Sequence, residues 1–491
     1  MVFIHSFKNQ SWLLPPSIEE LIPEDHVCFL VENFMESLDY TTFEEKYAGA
    51  GHPAYHPRIL LKLLVMGVLD KVRSSRRLAR NAKENVVYMY LAEKLAPDFR
   101  TISDFRKNNH DLIKIVFKHT VSLAKEEGML DLSHFSTDGI KIKANAANKH
   151  IFTEKELKFI INFINDELEE WAKQDEFEDD FFEELRGSDQ LPKSSKKRVK
   201  RAVKDYIENL KENGELFKKN LIGTIEKAQH ELEKNGLEKV SITDPESRFM
   251  LSKKGKIELS YNPQITSESN GFILSNDVCN SENDSNQLKP QVIQTEENLG
   301  EIPEEVKWSF DNSYFEGDNL NFISNKEIDG YIACQKKNRE KPYDKSNFAY
   351  NESKDAYIYP EKKLLPFLRE YYDKHRKKII RRYKGMDCEK CIQQKSCTKT
   401  KDGIRIIKMY PYEKERKAME EKMQTSEAKE IYKLRKQIVE PVFGDIKENK
   451  GITNFLTRGL NTVKTEFNLI CSGNNIKRFH KKKQEAEQQV V

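Results

Sequence analysis

The residues best suited to chemistry lie between Tyr432 and Lys447, YKLRKQIVEPVFGDIK. Glu440 stands there among Lys433, Arg435, Lys436 and Lys447. On an unbroken helix of about 3.6 residues per turn, Lys433, Lys436 and Lys447 share the azimuth of Glu440. One carboxylate ringed by cations suits a site that holds a metal ion beside a phosphodiester, the acid on the metal and the cations on the phosphates. The same pattern suits a charged surface helix with Ile431, Leu434 and Ile438 on its buried side. Pro441 predicts either a kink after Glu440 or a new helix with the proline in its first turn.

Two more acids stand where a sheet could present them. Asp138 lies in HFSTDGIKIKANAA (134–147), whose alternation reads as a strand, although Asp-Gly also suits a turn between strands. Asp311 ends the strand-like VKWSFDNSYF, and the ends of strands are where α/β sheets build sites. A helix N-cap is the plainer role for it, and Asp244, Asp277 and Asp284 compete with it. Cys388-x2-Cys391-x5-Cys397 resembles part of a zinc knuckle, with Cys334 or His375 as a fourth ligand through space; three reduced thiols are the alternative. HRKKIIRRYK (375–384) is the most basic ten-residue run.

These groups need elements to position them. Residues 1–130 read as helical. Asp25 is the expected cap of a helix over 26–38, and a second helix follows HPAYHPR from Ile59 to Asp70. After the turn KVRSS, Ser74 or Ser75 starts a third. Arg73, Arg76, Arg77 and Arg80 cluster near that start, as in a helix-turn-helix that meets DNA, although helix pairs are common. Residues 150–240 read as a charged helical hairpin, with Val203, Ile207, Leu210, Leu221, Ile225 and Leu232 as the buried stripe of its long helix. Its acidic (175–185) and basic (196–204) blocks suit solvated or mutually paired faces. Beyond it come strands around an Asn270-Gly271 turn, a helix over 287–299, a strand ending at Asp311, a helix over 317–326 and a strand over 329–334. The tail HKKKQEAEQQVV reads as disordered.

The chain has 491 residues, 33% of them charged, and a net charge of only +3, so any DNA contact must come from local patches. MVFIHSFKNQ holds no long apolar run, and ILLKLLVMGVL contains Lys62 and is too short to span a bilayer. Seven scattered cysteines suit reduced thiols. The expectation is a soluble cytoplasmic protein, nucleoid-associated, with no membrane partner.

Tyr432-x2-Arg435-x4-Glu440-x6-Lys447 resembles the C-terminal signature of bacterial insertion-sequence transposases of the DDE class; four residues separate Arg435 from Glu440 where three are usual. FLTRGLNTVKTEFNLICSGNNIKR resembles the family's following helix, and HPAYHPRILLKLL, SSRRLAR and APDFRTISDFRK resemble its N-terminal domain. DNSYF at Asp311 resembles the family's Asp-Ala-Gly-Tyr-Phe. The resemblance implies an α/β fold: an RNase H-like catalytic domain in pieces at 131–149, 244–334 and 426–480. Around these pieces it implies a helical DNA-binding domain (1–130), a charged helical insertion (150–243), a basic cysteine-containing insertion (335–425) and a tail (481–491). It implies that Asp138, Asp311 and Glu440 hold two Mg²⁺, with Mn²⁺ as a substitute, and that Arg73, Arg76, Arg77, Arg80, Tyr432, Arg435, Lys447 and Arg458 meet DNA. Structural Zn²⁺ on Cys388, Cys391 and Cys397 stays open. The implied partners are double-stranded DNA, both element ends and target, and a second copy in a synaptic homodimer. The implied activity is cleavage at the element's ends and joining of the ends to a target. A catalytically inactive DNA-binding relative, or a nuclease without strand transfer, are the competing functions.

Overall fold

The computed structural model describes residues 16–45, 53–147, 150–166, 191–252, 255–334, 342–359, 363–374 and 378–490. The acidic block at 175–185 and His375 lie outside them. The N-terminal part is helical: α1 (Val27–Glu36), α2 (Thr41–Glu44), α3 (Pro57–Leu69), α4 (Ser75–Glu84), α5 (Val86–Leu91), α6 (Phe99–Asn108) and α7 (His110–Glu126). The cap expected at Asp25 falls on His26, whose Nδ1 accepts the Cys28 N–H at 3.1 Å. Apolar residues on nearly every side bury α3, and one of its two cations, Lys62, is fully buried among Glu32, Glu36 and Glu93.

A seven-stranded sheet follows. Its path is β2 (Ile142–Lys143), β6 (Ile257–Glu268), β1 (His134–Gly139), β8 (Lys307–Phe310) and β9 (Asp329–Ile332); β5 (Arg248–Leu251) and β7 (Ile273–Cys279) also pair with β6. β1, β8 and β9 are parallel, and β6 runs antiparallel to β1. His134 to Thr137 are all buried, as in a strand covered on both faces. The expected turn at Asn270-Gly271 joins β6 to β7, with Gly271 at a φ of +83° that disfavours other residues.

The hairpin expected at 150–240 is present as α8 (Glu154–Asp166) and α9 (Lys193–Asn235), closed at its base by β3 (Ile151–Phe152) against β4 (Val240–Ser241). Val203, Ile207, Leu221, Ile225 and Leu232 are buried in its own core; the Leu210 side chain lies outside the described residues. α10 (Leu288–Leu299) and α11 (Gly317–Asn325) flank β8 in sequence. A separate antiparallel sheet runs in order from β10 (Ala349–Asn351) through β11 (Ala356–Ile358), β12 (Leu364–Asp373) and β13 (Lys378–Lys384) to β14 (Ile406–Met409). The short α12 (Gln394–Cys397) lies between its last two strands.

The C-terminal part is α13 (Glu413–Lys422), α14 (Ser426–Gly444), a π-helical turn (Asp445–Asn449) and α15 (Leu460–Val490). Pro441 neither starts a new helix nor ends α14, which continues three residues past it. The tail expected to be disordered is instead the end of α15. Lys, Gln, Glu and Ala are good helix formers, and no Gly or Pro stops the helix there.

Candidate active site

β1 and β8 run side by side with Thr137 opposite Phe310, so the next residues, Asp138 and Asp311, emerge together where the ladder ends. α14 lies over this end of the sheet, in contact with β1, β6, β8 and β9. From it the buried Arg435 places Nη2 at 2.9 Å from Asp138 Oδ2 and 3.9 Å from Asp311 Oδ1. One guanidinium thus joins two acids that are 173 residues apart in the sequence. Burial pushes the Asp138 carboxyl up to about 6 despite the opposing pull of Arg435, with Asp311 and Asp284 adding to the rise. The same two acids hold the Arg435 guanidinium above its ordinary value against the effect of burial. Burial also raises the Tyr432 phenol, to about 12; Arg435, Asp311 and Asp138 act on it electrostatically.

Asp311 is the competing acid that meets Asp138 on Arg435. Asp244 is buried away from it, accepting the Tyr261 hydroxyl at 2.6 Å and the Gly459 N–H at 3.0 Å. Asp277 pairs with Lys464 at 2.7 Å. Asp284 stands beside Gly139, where its Oδ1 accepts the side-chain amides of Asn262 and Gln264 at 2.5 and 2.7 Å. Sequence reasoning missed Gln264 and Tyr314, which are buried and bonded to each other here; a Gln within a strand gives no local signal.

Glu440 stands on the exposed side of α14. Five residues along an α-helix turn it about 140° from Arg435. Its buried neighbours Ile438, Val439 and Val442 face the sheet. Among the described residues no group of three or more His, Cys, Asp or Glu side chains is placed to hold a metal ion. The structure brings Asp138, Asp311, Arg435 and Tyr432 together, and Glu440 is exposed on α14. Lys433 pairs with Glu430, and Lys447, in the π-helical turn, donates to the Lys141 carbonyl at 3.0 Å.

The other expected site residues divide. Arg76, Arg77 and Arg80 are exposed on α4, and the Arg76 guanidinium lies 5.1 Å above the Phe99 ring. Arg73 faces inward, bonding the Glu466 carboxylate at 2.8 Å and the Asn454 carbonyl at 3.1 Å, so its charge is used within the chain. Arg458 donates to the Asn145 carbonyl at 3.0 Å. Cys388, Cys391 and Cys397 are free thiols that line one open cavity together with Tyr359. The Tyr359 hydroxyl is 3.9 Å from Cys391 Sγ, and Cys388 Sγ accepts the Arg405 N–H at 3.4 Å.

Two family models match the chain. One, described as Transposase domain (DUF772), matches residues 16–108, which hold α1 to α6. The other, described as Transposase DDE domain, matches residues 359–480, which hold β12 to β14, α14 and most of α15. Asp138 and Asp311 lie outside both matches. No curated protein matches the chain. No described helix is long and apolar enough to cross a membrane.

Proposed function

We propose that this chain, a DDE transposase of the insertion-sequence type as its two family matches support, binds the ends of its element, cuts them and joins them to a target. The observation that carries the reading is the convergence of Asp138 and Asp311 on Arg435, under the helix that holds the transposase signature. We read the seven-stranded sheet, with its parallel β1, β8 and β9 and its acids at the strand ends, as RNase H-like.

Cutting adds a water oxygen to phosphorus and breaks the P–O3′ bond, leaving a 3′-hydroxyl and a 5′-phosphate. Joining transfers a target phosphoryl group to that 3′-hydroxyl and frees a target 3′-hydroxyl. Oxygen donors suit Mg²⁺ or Mn²⁺, and the two carboxylates already converge on one cation, so Asp138 and Asp311 fit such ions. When bound, two ions would supply an activated nucleophile and charge relief at the leaving oxygen. Glu440 is the third acid of this reading, although its side chain stands on the solvent side of α14. Arg435 keeps the two aspartates close, and Tyr432 stands beside them. The exposed Arg76, Arg77 and Arg80 give α4 a cationic face for phosphates. A synaptic complex of two copies at two ends is part of the same reading.

Supercoiled plasmid carrying an element end tests it. The wild-type protein should cut only with Mg²⁺ or Mn²⁺ and yield joined products. Asp138→Ala and Asp311→Ala should bind DNA and cut nothing. Cutting without joined products would leave a nuclease. DNA binding without cutting by the wild type would leave a non-catalytic relative. Metal analysis of the purified protein decides whether Cys388, Cys391 and Cys397 hold zinc.

A further inference from the structure

The five-stranded sheet has two unlike faces. On one, Leu365, Tyr383 and Ile407 are buried with Tyr357 and Tyr359, and the only Arg of β13 on that face, Arg381, is neutralised by Asp355 at 2.6 Å. On the other face, Arg369 of β12 stands directly opposite Arg382 of β13, and Arg382 directly opposite Lys408 of β14. Lys384 follows two residues along β13 and so shares that face. Three cations in one cross-strand row span only about 10 Å at the ordinary strand spacing. Like charges directly opposite destabilise a sheet. Among the described residues none of the four forms a carboxylate ion pair. Arg382 stacks 4.4 Å above the Tyr371 ring, and its Nε is buried without a partner. Arg382 and Lys408 also hold the Tyr371 phenol below its ordinary value.

The face begins against the segment that follows Asp311. Lys378, at the start of β13, pairs with Asp318 at 2.9 Å and Glu316 at 3.6 Å, seven and five residues after Asp311. Arg416 takes Glu316 as well, at 3.2 Å, so both carboxylates at that edge are engaged. Four residues of strand then carry the chain about 13 Å from Lys378 to Arg382. A cationic row without ion-paired carboxylates, starting against the segment that follows Asp311, matches a polyanion whose reacting bond lies at the acids.

We propose that Arg369, Arg382, Lys384 and Lys408, around Tyr371, hold the sugar–phosphate backbone of duplex DNA that runs into the Asp138–Asp311 site. This rests on the transposase reading above. It adds a phosphate-binding surface separate from the arginines of α4, and the contacts are to backbone, so they carry little sequence preference.

The test uses the full chain and a fluorescein-labelled duplex of arbitrary sequence, titrated at several salt concentrations. An R382A/K408A double variant removes two of the cations. It should bind more weakly, and its slope of log affinity against log salt should flatten by about 2, because each phosphate contact contributes about 0.9. Lys414→Ala, an exposed cation on α13 paired with Glu352, should leave the slope unchanged. If the wild type does not bind duplex at all, the transposase reading fails first. If the wild type binds and the double variant keeps the wild-type slope, this surface alone is overturned. If the double variant does not fold, amine acylation of the wild type decides. Bound duplex should protect Lys384 and Lys408 but not Lys414, and equal rates with and without duplex would overturn the proposal.

Discussion

At the scale of the residue, Asp138 is pulled in two directions. Burial favours its neutral form and Arg435 favours its charge; burial prevails, and the carboxyl rises to about 6. Unfolded, the same group titrates near 3.9. Between about pH 4 and 6 the folded chain therefore binds more protons than the unfolded one, and stability falls as pH rises through that window. In chelator-treated buffer, Asp138→Asn should thus be more stable than the wild type near neutral pH, by about 1–3 kcal/mol. The difference should vanish below about pH 4. Urea titrations of both proteins check this, and a variant weaker than the wild type at neutral pH would mean that the ion pair dominates. Arg435→Ala should do the opposite and cost about 3–5 kcal/mol, because it leaves Asp138 and Asp311 facing each other without their cation. Arg435→Lys should recover only part, since an ammonium cannot span two carboxylates as a planar fork does. Asp138 and Asp311 were legible through their resemblance to family motifs. The place of Arg435 was not, because its nearness to Asp138 depends on a strand and a helix almost 300 residues apart in the sequence. The exposure of Glu440 did follow from helical periodicity once Arg435 was known to face the sheet.

At the scale of the element, α15 explains why sequence reading assigned Arg73 to DNA. A cluster of arginines at a helix start looks the same whether it meets phosphates or a carboxylate elsewhere in the chain. Glu466, nearly fully buried on α15, is that carboxylate. Besides Arg73 it accepts the N–H groups of Leu456 and Thr457 and the Thr457 hydroxyl. Burial lowers the nearby Arg106, and Glu466 opposes that shift. Glu466→Gln keeps the shape but removes the charge, leaving Arg73 buried without its anion. It should lose about 3–5 kcal/mol in chemical denaturation. A loss under about 1 kcal/mol would show that solvent reaches Arg73 and screens it as at a surface. Local patterns were enough for the Asn270-Gly271 hairpin, for α10 and for the α8–α9 arm, where period and turn residues are self-contained. They did not suffice for the order of the sheet, in which β1 lies between β6 and β8, because pairing partners far apart leave no mark in either strand alone.

At the scale of the whole molecule, the N-terminal helices do not close their own core. Composition and the turn at Gly128 suggest a separate domain over 1–130, but Leu469, Ile476 and Phe479 of α15 are buried in the same cluster as Val31, Leu61 and Val116, together with Phe272, the residue before β7. The Asn475 side chain also accepts the Ile273 N–H at 2.8 Å and donates to Thr120 at 3.1 Å, so α15 is bonded to the sheet and to α7 at one point. Each large apolar side chain that is fully buried contributes about 1.5–3 kcal/mol. The four contributed from outside are then worth roughly 6–12 kcal/mol, as much as the net stability of a typical domain at about 5–15 kcal/mol. Residues 1–130 expressed alone should therefore show helical circular dichroism without a cooperative thermal transition, and should bind a dye that reports exposed apolar surface. Full-length protein with Phe479→Ala should keep the transition at a lower midpoint, having lost about 3–5 kcal/mol. A sharp, two-state melt of the isolated fragment would show that its helices close without α15. In that case the two parts of the chain could move independently, and a duplex held on α4 would not be fixed in place relative to the acids at Asp138 and Asp311.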